Sequence, residues 1–129
     1  MIKLVFCLRR RATLSREEFQ DYWRNVHGPL VRERAAAIGA LRYVQVHTGY
    51  DELNAGLRAS RGGPEPFDGV AELWFASAEA LAAGLADEDA RRASAELLDD
   101  ERNFIDLENS PLWIADEHEI VPLRDRPPA

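Results

Sequence analysis

The order of strand-like and helix-like segments limits most tightly what this chain of 129 residues can fold into. Residues 2–8 are an aliphatic and aromatic run, and residues 41–50 and 69–77 alternate with the period of two that is typical of strands. Residues 112–121 are interpreted as a fourth strand. Apolar residues at helical spacing predict one helical region between the first two strands and another between the last two.

The first helical region carries start and stop signals. Ser15 and Glu18 form the pattern of a capping box, which predicts that a helix begins at about Ser15. Proline has no N–H and restricts the residue before it, so Gly28–Pro29 predicts that this helix ends or kinks near His27. A further helical segment is expected at residues 30–38.

The resulting order is a doubled strand-helix-strand unit. It predicts an α+β, ferredoxin-like fold, with a four-stranded antiparallel sheet and the helices on one face. At this length we expect one domain, residues 1–123. Residues 49–67 are interpreted as a lid-like connection, because they combine a possible short helix with several glycines and prolines, and residues 124–129 as a flexible tail.

The sheet face away from the helices is expected to need a cover. Alternation within the strands assigns to it a set of aromatic, aliphatic and polar side chains: Val5, Cys7, Tyr43, Gln45, His47, Glu72 and Trp74. So much aromatic surface is costly to leave in water. We therefore predict a homodimer with two-fold symmetry that is joined through this open sheet face.

Composition narrows the class of partner. The formal net charge of −7 disfavours nucleic acid and anionic membranes, since both repel an acidic surface. A small hydrophobic ligand fits better.

The single cysteine, Cys7, offers neither a disulfide nor a metal-ligand pair, and no apolar run approaches the ~20 residues of a membrane helix, so we expect a cytoplasmic protein.

Three segments resemble the EthD domain, a family of the dimeric α+β barrel superfamily. They are MIKLVFCLRRRATLSREEFQDYWRNVHGPLV at the start, FDGVAELWF in the third strand and NFIDLENSPLWIADEHEIV near the end. The helix that ends in His-Gly-Pro-Leu-Val carries the most specific signal. The resemblance implies a ferredoxin-like domain that dimerises into an α+β barrel.

The resemblance also implies a range of functions. Family members are similar to small cofactorless proteins associated with degradation of ethers and aromatics, or with cyclisation, decarboxylation or oxidation of polyketide-like substrates. It implies His27 as the position for chemistry, with Trp23, Tyr43 and residues 104–106 as pocket neighbours. Some polyketide-cyclising relatives place a second histidine near the first strand; this chain does not, so a two-histidine site would need His47. No cofactor is expected; haem, which relatives in the wider superfamily bind, would need His27 or His47 as a ligand.

His27 is the first candidate for chemistry, because a neutral imidazole can take a proton from a phenol or an activated methylene near neutral pH. At a helix C-terminus, the partial negative charge is expected to raise its pKa. The structural alternative is that His27 only caps the last carbonyl groups. Tyr43 and His47 share a strand face and are candidates for orienting a carbonyl or hydroxyl, or equally for hydrogen bonds across a dimer.

Further side chains are candidate ligand contacts: Trp23, Glu72, Trp74, Phe104 and Asp106. Trp74 can stack on a ligand or fill the core. Asp106 can orient an imidazole, or cap a turn before Ser110–Pro111. His118 stands among acidic residues, but strand alternation divides them between two faces, so no metal site is predicted.

Three functional hypotheses follow. The first is a cofactor-independent enzyme acting on a hydrophobic, aromatic or polyketide-like molecule, with lyase, cyclase or oxidoreductase-type chemistry and His27 as general base. The second is a non-catalytic protein that binds such a molecule, or an accessory protein of a degradation or biosynthetic pathway. The third is a purely structural dimer, which would leave no pocket between the first helix and the sheet.

Overall fold

Four antiparallel strands form one sheet in a computed structural model that describes residues 1–128. The strands are β1 (Ile2–Leu8), β2 (Arg42–His47), β3 (Gly69–Phe75) and β4 (Leu112–Asp116), in the spatial order β2-β3-β1-β4. The helices are α1 (Arg16–Tyr22), α2 (Gly28–Ile38), α3 (Asp51–Arg61), α4 (Ala78–Ala86) and α5 (Glu88–Glu101). This strand order is that of a ferredoxin-like sheet, so the predicted α+β, ferredoxin-like fold is confirmed.

The start of α1 follows the predicted capping box. The Ser15 side chain accepts a hydrogen bond from the backbone N–H of Glu18, and the Glu18 carboxylate accepts one from the backbone N–H of Ser15. Ser77 and Asp87 cap α4 and α5 in the same way through their side-chain oxygens. These local signals are reliable because each satisfies backbone donors that a helix start leaves without partners.

Of the two outcomes predicted near His27, an end or a kink, the end is wrong: the helix continues through Gly28–Pro29, with an irregular turn just before it. Residues Trp23–His27 form a π-helical turn, in which the Gly28 N–H reaches the Trp23 carbonyl, and α2 follows directly with Pro29 in its first turn. Proline cannot donate the next helical hydrogen bond, and one wide turn absorbs this defect without ending the helix. The helix ends at Gly39, whose φ of 77° stops the right-handed path.

The strand register corrects the predicted sheet faces. Directly paired residues share a face, and Gln45 pairs with Ala71, which pairs with Phe6 of the core. The side chains Tyr43, Gln45 and His47 therefore lie on the helix-covered face, not on the open one. Val5, Cys7, Glu72 and Trp74 do lie on the open face, where β2 instead contributes Arg42, Val44 and Val46.

The core lies between the sheet and the helices. Its largest fully buried side chains are Leu8, Phe19, Trp23 and Phe104. The ring of Phe19 lies 5.6 Å from those of both Trp23 and Phe104, so an aromatic cluster joins α1 to the segment after α5. This cluster fixes the π-helical turn against the sheet.

The peripheral segments differ in part from the sequence expectations. The fourth strand ends at Asp116, five residues earlier than predicted, and residues 117–128 pair with no strand. Residues 49–67 contain α3, which is tied to α1 by the ion pair of Arg16 and Asp51. Of the predicted tail at 124–129, residues 124–128 are exposed coil and residue 129 lies outside the described residues. Within the described part of the chain, no helix has the length and apolar character that crossing a membrane requires.

Candidate functional site

His27 and Asp100 form the buried centre of the site. The π-helical turn places His27, which is only 5% exposed, with its Nδ1 at 2.8 Å from Oδ2 of Asp100 in the last turn of α5. Since a carboxylate only accepts hydrogen bonds, we assign the proton of the neutral imidazole to Nδ1, which leaves the lone pair on Nε2. Nε2 has no hydrogen-bond partner among residues 1–128. Every fully buried side-chain nitrogen or oxygen in these residues does have a partner, so Nε2 is not fully buried and keeps accessible surface.

The pKa of His27 lies below its ordinary value. Burial disfavours the imidazolium and lowers the pKa, while the hydrogen bond and the negative charge of Asp100 oppose this effect. The expectation of a raised pKa is wrong: the helix that contains His27 does not end there, and burial outweighs the opposing effect of Asp100. At neutral pH, His27 is therefore a neutral imidazole with a free lone pair.

Asp100 is held in place from two further sides. The Tyr22 hydroxyl donates a hydrogen bond of 2.5 Å to Oδ1, and the Asn103 amide donates one of 3.3 Å to the same oxygen. Burial acts to raise the pKa of Asp100, but the hydrogen bonds from Tyr22, His27 and Asn103 outweigh it, and the pKa is lowered. Asp100 therefore stays ionised and fixes the orientation of the imidazole.

A small chamber of about 60 Å³ lies between the sheet and the helices beside His27. Its polar walls are the side chains of His27, Tyr43 and Glu101; the other walls are apolar and include Trp23 and Leu97. The share of one water molecule in liquid is ~30 Å³, so the chamber accommodates a small polar group but not a whole substrate.

At pH 7 the Tyr43 hydroxyl is neutral, and Glu101 is protonated in about half of the molecules. Burial raises the pKa of Tyr43 to about 12, although hydrogen bonds from Gln45 and Trp23 act in the opposite direction. Burial, reinforced by the negative charge of Asp100, raises the pKa of Glu101 to about 7, with Arg102 opposing it. The chamber thus combines one base, His27, with two weak acids.

His47 does not reach the chamber. Its ring stacks on the other side of Trp23, with 4.4 Å between the ring centroids, and its Nε2 lies 2.8 Å from Oε1 of Gln45. The Gln45 amide donates to the Tyr43 hydroxyl and to the Trp23 carbonyl, each at 2.8 Å. His47 therefore supports Trp23 and Gln45, and a site with His27 and His47 facing one ligand does not form in this chain.

Glu72 and Trp74 lie on the opposite side of the sheet from His27. Glu72 forms an ion pair with Lys3, and the Trp74 indole donates to Glu117 at 3.2 Å. The guanidinium of Arg42 lies 4.5 Å from the centroid of the Trp74 ring. Neither Glu72 nor Trp74 can share a pocket with His27, and both belong to the open face.

Phe104 and Asp106 have different positions. Phe104 is fully buried, with its ring 5.0 Å from that of His27, and it packs behind the imidazole rather than lining the chamber. Asp106 does not contact His27: its backbone N–H donates to the Arg9 carbonyl and its carboxylate accepts a hydrogen bond from Asn109. The orienting carboxylate is Asp100, and Asp106 has the turn-forming role of the alternative interpretation.

An apolar groove of about 370 Å³ adjoins the chamber. It runs between α4, α5 and the helix-covered face of the sheet, and shares four wall residues with the chamber: Phe6, Leu73, Leu97 and Glu101. Arg91 and Glu101 are its only charged wall residues. Its volume falls within the range of about 300–1,000 Å³ that is typical of small-molecule sites.

A larger cleft of about 510 Å³ lies away from these residues, between the β1–α1 turn and α3. Its charged side chains largely pair with one another, as Arg10 does with Asp68 and Arg16 with Asp51. It contains none of the candidate residues and suits an apolar ligand poorly. Within the described residues, no group of three or more histidine, cysteine, aspartate or glutamate side chains could hold a metal ion.

Asp100 and Glu101 are the site residues that sequence reasoning missed. Asp100 lies seven residues after the buried Ala93 and three after the buried Leu97, and Glu101 lies four after Leu97. These helical spacings place both carboxylates on the core-facing side of the helix. Acidic residues at core-facing positions are uncommon unless they are paired or functional. That pattern was the available signal.

Comparisons with known proteins agree on the fold. An EthD family protein from Bacillus halodurans is 18% identical with a TM-score of 0.60, covering 92% of this chain and 99% of its own. A dimeric protein of unknown function with a ferredoxin-like fold, from Bacteroides fragilis, is 8% identical with a TM-score of 0.56, covering 90% and 95%. SnoaB, a cofactor-independent oxygenase from Streptomyces nogalater, is 13% identical with a TM-score of 0.51, covering 95% and 97%.

At these identities the structural likeness shows the fold alone. No curated protein matches the chain in sequence. The family comparison is more specific, since the profile of the EthD domain matches residues 11–108. Because this match spans most of the chain and includes His27, Tyr43, Asp100 and Glu101, the protein belongs to the EthD domain family.

Proposed function

We propose that the protein is a cofactor-independent enzyme that removes a proton from an activated carbon or a phenol of a hydrophobic, aromatic or polyketide-like small molecule. The observation that carries the proposal is the buried His27–Asp100 pair, with its free Nε2 beside a chamber that adjoins an apolar groove. A cofactor-independent oxygenase has the same fold, and the family match is consistent with this class of chemistry.

His27 is the general base in this proposal. Nε2 takes the proton while Nδ1–H stays hydrogen-bonded to Asp100, whose negative charge stabilises the imidazolium as it forms. Tyr22 and Asn103 hold the carboxylate, so the imidazole does not need to reorient during the transfer. The electron pair left on the substrate forms an enolate or phenolate, which the neutral Tyr43 hydroxyl can stabilise by donating a hydrogen bond.

The groove holds the body of the substrate. Its apolar walls suit aromatic rings, and only the reacting end needs to pass the shared wall residues Leu73 and Leu97 into the chamber. No cofactor is invoked. The volume of about 60 Å³ beside His27 supports a small reacting group there rather than a haem.

Proton abstraction can be tested without knowing the natural substrate. In D₂O, the α-protons of 2-tetralone, a cyclic ketone fused to a benzene ring with a benzylic, activated methylene, exchange for deuterium through the enolate, and NMR follows the rate. We expect saturable acceleration by the protein. His27→Gln should lower this rate by about 10²–10⁴-fold, because a general base contributes about that factor. Asp100→Asn should also lower the rate strongly, because Tyr22 and Asn103 donate to the Oδ1 position, which turns the new NH₂ group toward Nδ1 and moves the imidazole proton to Nε2.

The controls separate catalysis from binding. His118→Gln replaces an exposed histidine outside the site and should exchange at the wild-type rate. Near-unchanged melting temperatures would show that the variants are folded. Acceleration that survives His27→Gln would refute the role of His27, and saturable binding of 2-tetralone without any exchange would instead support a non-catalytic binding protein.

The proposal includes a homodimer joined through the open sheet face. The face carries several valines, among them Val46, which is 44% exposed, whereas Trp74 on the same face is only 7% exposed. A ferredoxin-like protein with a similar fold is dimeric. Pairing two such faces would remove this apolar surface from water and leave the chamber, on the helix-covered side, unchanged.

A further inference from the structure

Glu101 lies in the wall between the chamber and the apolar groove, and its role is not explained by proton abstraction at His27. It borders both spaces, on the last turn of α5. Its carboxylate makes no hydrogen bond or ion pair with any of residues 1–128, and since no fully buried polar side-chain atom there lacks a partner, its oxygens keep some accessible surface. The backbone carbonyl of the same residue is satisfied by the N–H groups of Phe104 and Ile105. The side chain is thus fixed at its base and has a free polar end.

The surroundings of Glu101 favour its uncharged form. Asp100 precedes it with a negative charge, and Tyr43 and neutral His27 face it from β2 and the π-helical turn across the chamber. Arg102 acts in the opposite direction, and Arg91 is exposed on the groove. Burial and Asp100 dominate and raise the pKa to about 7. A protonated carboxyl group here is a hydrogen-bond donor where the chamber meets the largely apolar groove.

We propose that the groove binds an uncharged aromatic ketone or quinone-like molecule, whose carbonyl oxygen accepts a hydrogen bond from the protonated carboxyl group of Glu101. The free carboxyl group matches a carbonyl acceptor, and the rest of the groove matches a ring system. A carboxylate ligand is disfavoured at this end, because two carboxylates that meet in an apolar wall repel each other unless they share a proton. This inference rests on the proposed function in taking the groove as the substrate site.

Two matched probes test the hydrogen bond directly. They are 2-acetylnaphthalene, which has a carbonyl, and 2-ethylnaphthalene, which has a similar size and none. For wild-type protein, we expect the dissociation constant of the ketone to rise roughly tenfold between about pH 6 and about pH 8.5, as Glu101 loses its proton. The constant of the hydrocarbon should stay unchanged, and titration calorimetry measures both.

Variants assign the effect to one side chain. In Glu101→Gln the amide remains a donor at every pH, so ketone binding should be of wild-type strength at about pH 6 and lose its pH dependence. Glu96→Gln, which replaces an exposed glutamate of the same helix, should behave as wild type. His27→Gln should keep the pH dependence, because Glu101 is intact.

Other results would overturn the inference. A carbonyl contact would be contradicted if the dissociation constants of the two naphthalenes depended equally on pH in wild-type protein, or if neither compound bound. Neither result needs a variant for its interpretation. Loss of the pH dependence in His27→Gln would assign it to the imidazole. Because these are binding measurements, they can succeed when the exchange assay fails, and the two proposals are judged separately.

Discussion

Replacing Glu101 with glutamine should change how the stability of the protein depends on pH. The pKa of Glu101 is about 7 in the folded protein, against an ordinary value of 4.5. The folded protein therefore keeps this proton to a higher pH than the unfolded chain does. Stability from this group is fully present below pH 4.5 and is lost as the pH rises to about 7. The glutamine variant cannot lose a proton and should lack this effect.

The size of the effect follows from the two pKa values. At about 1.36 kcal/mol per pKa unit, the difference corresponds to roughly 3 kcal/mol. The free energy of unfolding of the variant, relative to wild type, should therefore increase by roughly 3 kcal/mol between about pH 4.5 and about pH 8. Subtracting the free energies of unfolding of the two proteins at each pH cancels the titration of all groups that do not interact with Glu101. Asp100 is the neighbour that interacts with it most strongly.

Urea unfolding, followed by circular dichroism at several pH values, measures this difference. Protein concentration must be kept constant, because the proposed dimer would make the apparent stability depend on it. Glu96→Gln is the matched control, since Glu96 is exposed on the same helix and pairs with Arg34. It should change stability by about 1 kcal/mol or less, and equally at each pH. A difference between Glu101→Gln and wild type that does not vary with pH would refute a raised pKa of Glu101.

Two other outcomes are expected. A Cβ atom at Gly69 would lie 2.8 Å from Cη2 of the buried Trp23 and 2.9 Å from the Val46 carbonyl oxygen, so Gly69→Ala should destabilise the protein by roughly 1–3 kcal/mol in urea unfolding. Gly63→Ala, which has open space around it, is the control; equal stability of the two variants would contradict the close packing. Light scattering at micromolar concentration should give the mass of a dimer for wild type and of a monomer for Val44→Glu, and a monomeric wild type would refute the dimer.

Local features of the fold were predictable from the sequence. Ser15, Ser77 and Asp87 mark helix starts through contacts with residues three positions away, and Gly39 marks a helix end, so a few adjacent residues contain all the necessary information. The order of the elements then limited the sheet to a ferredoxin-like arrangement. The helix does not end at Gly28–Pro29, as one of the two predicted outcomes had it, because a single π-helical turn, secured by packing of Trp23, can absorb a proline that would end an isolated helix.

The candidate site was only partly predictable. The structure brings His27, Tyr43 and Trp23, which were predicted as site neighbours, to the walls of one chamber. Glu72 and Trp74 were wrongly placed with them, since alternation shows which residues of one strand share a face but not how neighbouring strands align. His47 is separated from the chamber by the ring of Trp23.

The sequence by itself determined the elements, their caps, the ferredoxin-like order and the position of one histidine. Only the tertiary structure decided that His27 meets Asp100, which is 73 residues away, and that Glu101 borders the space they share. The physical reason is that helix caps and strand periods are local, whereas the strength of a base depends on burial and on charges brought from other elements. Those surroundings exist only once α5 packs against the π-helical turn.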